Sequence, residues 1–177
     1  TLDTAAGTLA LENVVVSSGL SIQWASAFTI TASGVSSIAP AQRTDAIYAD
    51  APALAIRLQQ DASLTLDAQS GASAVYCPSG SLTVAGPGSL NASSQGYPAL
   101  QAQGDLVLEA GLKAGLGSDS YAICSVAGGV TVDSANLTAH SKEATVYAAG
   151  ASTGGVYPGT SVVLRGSTVT LDVTQGH

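Results

Sequence analysis

The sequence predicts an all-β chain: a single parallel β-helix of about seven three-stranded rungs over residues 1–177. Three observations predict it. A block of residues recurs along the chain, each block alternates with period two, and Gly, Pro, Ser and Asn separate the alternating runs. A period in the twenties is the mark of a solenoid, and alternation places successive side chains on opposite faces of a strand.

The copies can be taken in order. The N-terminal segment GTLALENVVVSSGLSIQWASAFTITASG keeps the alternation but not the register, and it reads as a cap or irregular first rungs. A long copy then runs from DAIYAD (Asp45–Asp50) to SLTLDA (Ser63–Ala68). SAVYC leads into GSLTVAG and GSLNASS; YPALQA leads into GDLVLEA and GLKAGLG; YAICSV leads into GGVTVDS and ANLTAHS. A last copy opens with TVYAAG and ends with STVTLDV. The first apolar anchors are Ile47, Val75, Leu100, Ile123 and Val146, spaced 28, 25, 23 and 23 residues apart. Repetition follows from stability. One short coil buries too little apolar surface to offset its own ordering entropy, so coils are stable only when stacked.

Composition excludes several function classes. Apolar residues make up 46% of the chain, with one Phe, one Trp and no Met, so the core must be built from Val, Leu, Ile and Ala. The net charge is −7, and the five basic residues, Arg43, Arg57, Lys113, Lys142 and Arg165, do not cluster. A nucleic-acid partner is excluded, because phosphate must be neutralised by Lys and Arg. No run has the length of a membrane span, so membrane insertion is not expected. The start at Thr1 and the Ser-, Thr-, Ala- and Gly-rich composition fit a piece of a larger secreted or surface protein, whose other domains are expected partners.

The rungs GSLTVAGPGSLNASSQGYPALQAQGDLVLEAG (Gly80–Gly111) resemble those of bacterial secreted and cell-surface β-helix proteins. These include the carbohydrate-binding-domain type within the pectin-lyase-like superfamily. The resemblance implies a right-handed coil, an extracellular or cell-surface setting and polysaccharide contact, sometimes with calcium.

If the anchors point inward, their successors point out: Tyr48, Tyr76, Gln101, Cys124 and Tyr147. Rungs stack about 4.8 Å apart, so Tyr48 and Tyr76 become neighbours. Sugar rings present C–H faces that pack on aromatic rings, and the Tyr hydroxyl adds a polar handle. Tyr48, Tyr76, Gln101 and Tyr147 are therefore the candidate glycan-binding residues. The competing account is an aromatic ladder that only stiffens the sheet. A second outward column is read as Asp67, Ala85, Glu109, Asp133 and Asp172. Within it Glu109 and Asp133 are the candidate calcium ligands. A solvated acidic face explains the same residues without a metal, because two charges about 5 Å apart in water repel by only about 0.8 kcal/mol. A third column, Thr65, Thr83, Val107 and Thr131, is polar and flat, and Thr is simply a good strand residue.

Cys77 is expected inward as a small core residue and Cys124 outward, two rungs away, too far apart for a disulfide. GASTG (Gly150–Gly154) formally matches a nucleophile elbow but lacks the strand–turn–helix setting. His140 is placed in a solvent turn. With no catalytic constellation, the sequence favours a non-catalytic module that binds polysaccharide or a host or plant glycan. A structural stalk is the alternative, and a degenerate polysaccharide-active enzyme comes third.

Overall fold

The computed structural model of the protein describes residues 1–149 and 160–174, and among them every regular element is a β-strand. β1 (Leu2–Asp3) folds back antiparallel on β2 (Thr8–Glu12), pairing Leu2 with Leu9. From β2 onward every strand pair is parallel. The first rung is β2, β3 (Val15–Val16) and β4 (Leu20–Gln23). The second is β5 (Phe28–Ser33), β6 (Val35–Ile38) and β7 (Ile47–Asp50). The third is β8 (Ala53–Leu58), β9 (Ser63–Asp67) and β10 (Val75–Cys77). The fourth is β11 (Ser81–Ala85), β12 (Ser89–Ser94) and β13 (Leu100–Ala102). The fifth is β14 (Leu106–Glu109), β15 (Lys113–Ser118) and β16 (Ile123–Ser125). The sixth is β17 (Val130–Asp133), β18 (Asn136–Ser141) and β19 (Val146–Ala148). β20 (Val162–Arg165) and β21 (Thr168–Val173) begin a seventh. The chain is a single right-handed parallel β-helix of six complete rungs and two-thirds of another.

Three sheets wall the core. Sheet 1 holds β1, β2, β5, β8, β11, β14, β17 and β20; sheet 2 holds β3, β6, β9, β12, β15, β18 and β21; sheet 3 holds β4, β7, β10, β13, β16 and β19. Inward side chains form ladders. In sheet 1, Ile30, Ile56, Val84, Leu108 and Val132 stack in register, all fully buried. In sheet 3 the anchors Ile47, Val75, Leu100 and Ile123 are likewise buried and pair as their spacing predicts. In sheet 2, Leu66, Ala92, Leu116 and Ala139 alternate large and small. Such alternation lets thin layers interdigitate at interior density.

The N-terminal segment keeps the rung register after all. Leu20 pairs with Ile47, Phe28 with Leu54 and Val35 with Ser63. Phe28 is a buried core residue at the head of a sheet 1 ladder, and Trp24 packs edge-on against it with ring centroids 5.6 Å apart. The shift in loop lengths, not a loss of register, hid this from the spacing.

The corner from sheet 1 to sheet 2 turns through a left-handed residue in each rung. These are Asn13, Gly34, Asp61, Gly86, Ala110 with Gly111, Ser134 and Gly166. Four of them are not glycine, although left-handed φ carries a steric cost for any side chain with a Cβ. The same bend is thus built from different residue types, so no single corner motif is visible in the sequence.

Candidate functional site

Sheet 3 carries the outward tyrosine column. The register joins Tyr48 to Tyr76, Tyr76 to Gln101, Gln101 to Cys124 and Cys124 to Tyr147, as the spacing predicts. The Tyr48 and Tyr76 rings meet edge to face, with centroids 5.8 Å apart and planes at 71°. This is a favoured aromatic geometry. It leaves the Tyr48–Tyr76 pair angular, not a single flat shelf. At the other end Tyr147 stacks on Tyr121, with centroids 4.9 Å apart and planes at 19°. Tyr97 is half exposed and close enough to Tyr76 to help raise its phenol above the usual value, after burial, Tyr48 and Asp45. All five described tyrosines therefore gather on one side of the coil. Tyr97 and Tyr121 were not singled out from sequence, since they lie in the turns just before the sheet 3 strands.

A groove of about 640 Å³ opens beside Tyr48. The strand and loop around Ser17–Ser21 form one wall, and the Pro40–Asp45 loop forms the other. Tyr48 lines it, together with Arg43 and Asp45. Asp45 accepts the Ser73 backbone N–H at 2.7 Å. Burial raises its carboxyl above the ordinary value, and the Ser73 hydrogen bond partly opposes this. Gln101 is held further along the face, its Oε1 accepting from the Ser73 hydroxyl at 3.5 Å. An aromatic ring, a carboxylate and a guanidinium thus share one groove. Arg43 and Asp45 do not stand out in the repeat spacing, because they sit in an irregular connection between β6 and β7.

Cys124 keeps its outward register but is buried at 6% exposure, contrary to the expectation of a solvent-facing thiol. It adjoins the Tyr121–Tyr147 stack, and such large rings overshadow a small side chain beside them. Cys77 lies inward, in register with Ala102, and both cysteines are free. Burial pushes the Cys77 thiol up to about 12 and the Cys124 thiol up to about 11. At pH 8 about one part in a thousand or less is thiolate, the nucleophilic form. Native protein is expected to resist a thiol reagent at that pH and to titrate two thiols once unfolded. Rapid native labelling would contradict the burial. The sign of the pH dependence follows. Both folded values lie above the unfolded one, so the thiols' contribution to stability is fully present below about pH 9 and is lost as pH rises toward 12. The melting temperature is expected to fall over that window, and part of the fall is expected to vanish in Cys77→Ala.

The acidic column divides between two sheets. Ala85, Glu109 and Asp133 do stack in sheet 1, but their neighbours are Arg57 at one end and Arg165 at the other. Asp67 pairs with Ser93 and Asp172 with His140, both in sheet 2. Thr65 likewise leaves the threonine column, pairing with Asn91 in sheet 2. The same error occurs at two copies: SLTLDA and STVTLDV rhyme with SLTVAG, yet their register partners are Ser89–Ser93 and Asn136–Ser141 in sheet 2. Among the described residues no group of three or more His, Cys, Asp or Glu side chains could hold a metal ion. Glu109 and Asp133 offer at most four carboxylate oxygens, and calcium takes six to eight. Arg165 stands in register beside Asp133, so a calcium ion held by this pair would need its remaining ligands from backbone carbonyls or water.

His140 lies in a strand, not a turn, and its Nδ1 is 3.2 Å from Asp172 Oδ2 on the exposed face of sheet 2. GASTG lies outside the described residues.

The class of protein that this geometry defines is a three-sheet parallel β-solenoid with a tyrosine-lined outer face. Comparison of the chain with protein-family models, with curated proteins and with solved structures found no match.

Proposed function

We propose that the chain is a non-catalytic module that binds polysaccharide or another glycan through the outer face of sheet 3. In this reading Tyr48 and Tyr76 pack against sugar rings, Asp45 and Gln101 hydrogen-bond hydroxyls, and Tyr147 with Tyr121 extends the face. The observation that carries it is the gathering of five tyrosines on one side of the coil, with Tyr48 lining a groove that also holds Asp45 and Arg43. Ligand sites commonly combine apolar and aromatic lining with a few placed polar groups. An extracellular or cell-surface setting, and kinship with the carbohydrate-binding, pectin-lyase-like β-helices, belong to the same proposal.

The test is binding to a panel of plant, host and microbial polysaccharides, each with calcium and with chelator. The expected result is a hit unaffected by chelator and weakened at least about tenfold in Tyr76→Ala, since a buried aromatic anchor contributes more than about 1.4 kcal/mol. A calcium-dependent hit lost in Glu109→Ala or Asp133→Ala would move the site to sheet 1. Binding to nothing on the panel would favour a stalk that displays other domains.

A further inference from the structure

Sheet 3 is bordered by a groove at each of its two corners, and both grooves lie over the first three rungs. The Tyr48 groove sits at the corner that leads in from sheet 2, between Ser17–Ser21 and the Pro40–Asp45 loop. A second groove, of about 500 Å³, sits at the corner that leads on to sheet 1. Gln23, Trp24, Asp50, Pro52 and Ser79 line it. The strands between the two grooves are β4 and β7, where register joins Ser21 to Tyr48 and Gln23 to Asp50. Period two puts both pairs on the outer face. Ser21 and Tyr48 line the first groove, Gln23 and Asp50 the second. Two residues along a strand span about 7 Å, so the grooves adjoin.

The second groove is built from fixed groups. Ser79 donates its hydroxyl to Asp50 Oδ1 at 2.6 Å, and among the described residues only Ser79 bonds this carboxylate. A carboxylate accepts through two oxygens, so the other stays open to a donor. The Trp24 backbone N–H donates to the Asp50 carbonyl at 3.0 Å. The Trp24 ring sits edge-on to Phe28, and its Nε1 lies 2.7 Å from where a Gly7 Cβ would stand. The missing side chain at Gly7 thus makes room for the indole. An aromatic ring, a carboxylate and a carboxamide face the second groove, much as a phenol, a carboxylate and a guanidinium face the first.

The face is less continuous down the coil axis. The Tyr48 and Tyr76 rings stand at 71°, and beyond Gln101 the column meets the buried Cys124. Gln101 leans back to Ser73 of the third rung and bounds the path on that side. Charge narrows the ligand. The two grooves hold two carboxylates, Asp45 and Asp50, against one cation, Arg43, on a chain of net charge −7. A polyanionic glycan would meet like charge at both corners.

We propose that the ligand is a neutral glycan that crosses the coil along β4 and β7, from the Tyr48 groove to the Trp24 groove, with one sugar seated at each. This rests on the reading of sheet 3 as a glycan-binding face. Gln23 and Asp50 hydrogen-bond hydroxyls of the second sugar, and the Trp24 ring packs against it. The path is short: β7 has four residues, about 13 Å, whereas six stacked rungs extend over about 24 Å.

Calorimetric titration of the native chain with oligosaccharide ladders tests this, using glucose, mannose, xylose and galacturonate series of one to six units. The expected result is binding of a neutral series whose affinity rises steeply over the first two or three units and then levels off. Gln23→Ala and Asp50→Asn, both at outer-face positions, are expected to weaken the longer members at least about threefold, the scale of one lost hydrogen bond. Both are expected to leave circular dichroism and the binding of the single sugar unchanged. Affinity that keeps rising to six units would overturn the transverse path. So would full-strength binding by both variants while Tyr76→Ala still weakens it, and either result would leave the glycan reading standing. A preference for the galacturonate series would overturn the neutral class. Binding to none of the ladders, nor to any polysaccharide of the panel, would overturn both this path and the reading beneath it.

Discussion

Gly86→Ala is expected to destabilise the protein by at least about 3 kcal/mol, the scale of a strained backbone combined with overpacking. Gly86 turns the corner between β11 and β12 at φ +111°, a region that side chains with a Cβ rarely enter. A Cβ there would collide with the Leu58 carbonyl oxygen of the rung below and lie 3.0 Å from its carbonyl carbon. Both partners are backbone, so neither can swing aside. The rungs are stacked at a spacing set by ladder hydrogen bonds, and moving Leu58 would disturb sheet 1 at its centre. Urea unfolding monitored by circular dichroism checks the value. Gly96→Ala is the control for the backbone term alone, since its φ is +85° and a Cβ there meets nothing within 4 Å. It is expected to cost clearly less. Equal costs at the two positions would show that the close approach to Leu58 contributes nothing.

Leu108→Ala is expected to cost about 2–5 kcal/mol, the range for deleting a fully buried leucine side chain. Val84 below it and Val132 above it are themselves fully buried, so the cavity has no flexible wall to collapse. Leu164→Ala removes the same atoms from the same ladder, one rung beyond Val132, where half the side chain is already exposed. It is expected to cost less than about 1 kcal/mol. Nearest-neighbour coupling is what distinguishes a solenoid from a globular core. A large loss at Leu164 would mean that further packing covers the last rung.

The rungs were legible because their physics is local and repeated. Alternation at Leu82–Val84, Leu106–Leu108 and Val130–Val132 identified sheet 1, and the anchors from Ile47 to Val146 set sheet 3 in register. Sheet 2 was misread at two copies. Ser63–Asp67 and Thr168–Val173 resemble Ser81–Ala85 in letters but follow a different corner, and no strand pattern says which wall of a coil a strand joins. The first carried Asp67 and Thr65 onto the wrong face, and the second Asp172. The tyrosine column at Tyr48, Tyr76 and Tyr147 followed directly from period two. Arg43, Asp45, Tyr97 and Tyr121 were not visible, because they lie in connections whose path depends on the rungs beneath them. Cys124 shows the remaining gap. Parity gives the direction of a side chain, whereas burial depends on which neighbours stand over it.

The proposed role is tested most directly by a residue-resolved NMR titration of the native chain with the polysaccharide that binds best on the panel. Glycan binding on sheet 3 predicts saturable shifts at Tyr48, Tyr76 and Gln101, extending to Asp45 in the groove, with Thr138 and Asn91 on sheet 2 unmoved. Shifts confined to sheet 2, or around Glu109 and Asp133 on sheet 1, would contradict it.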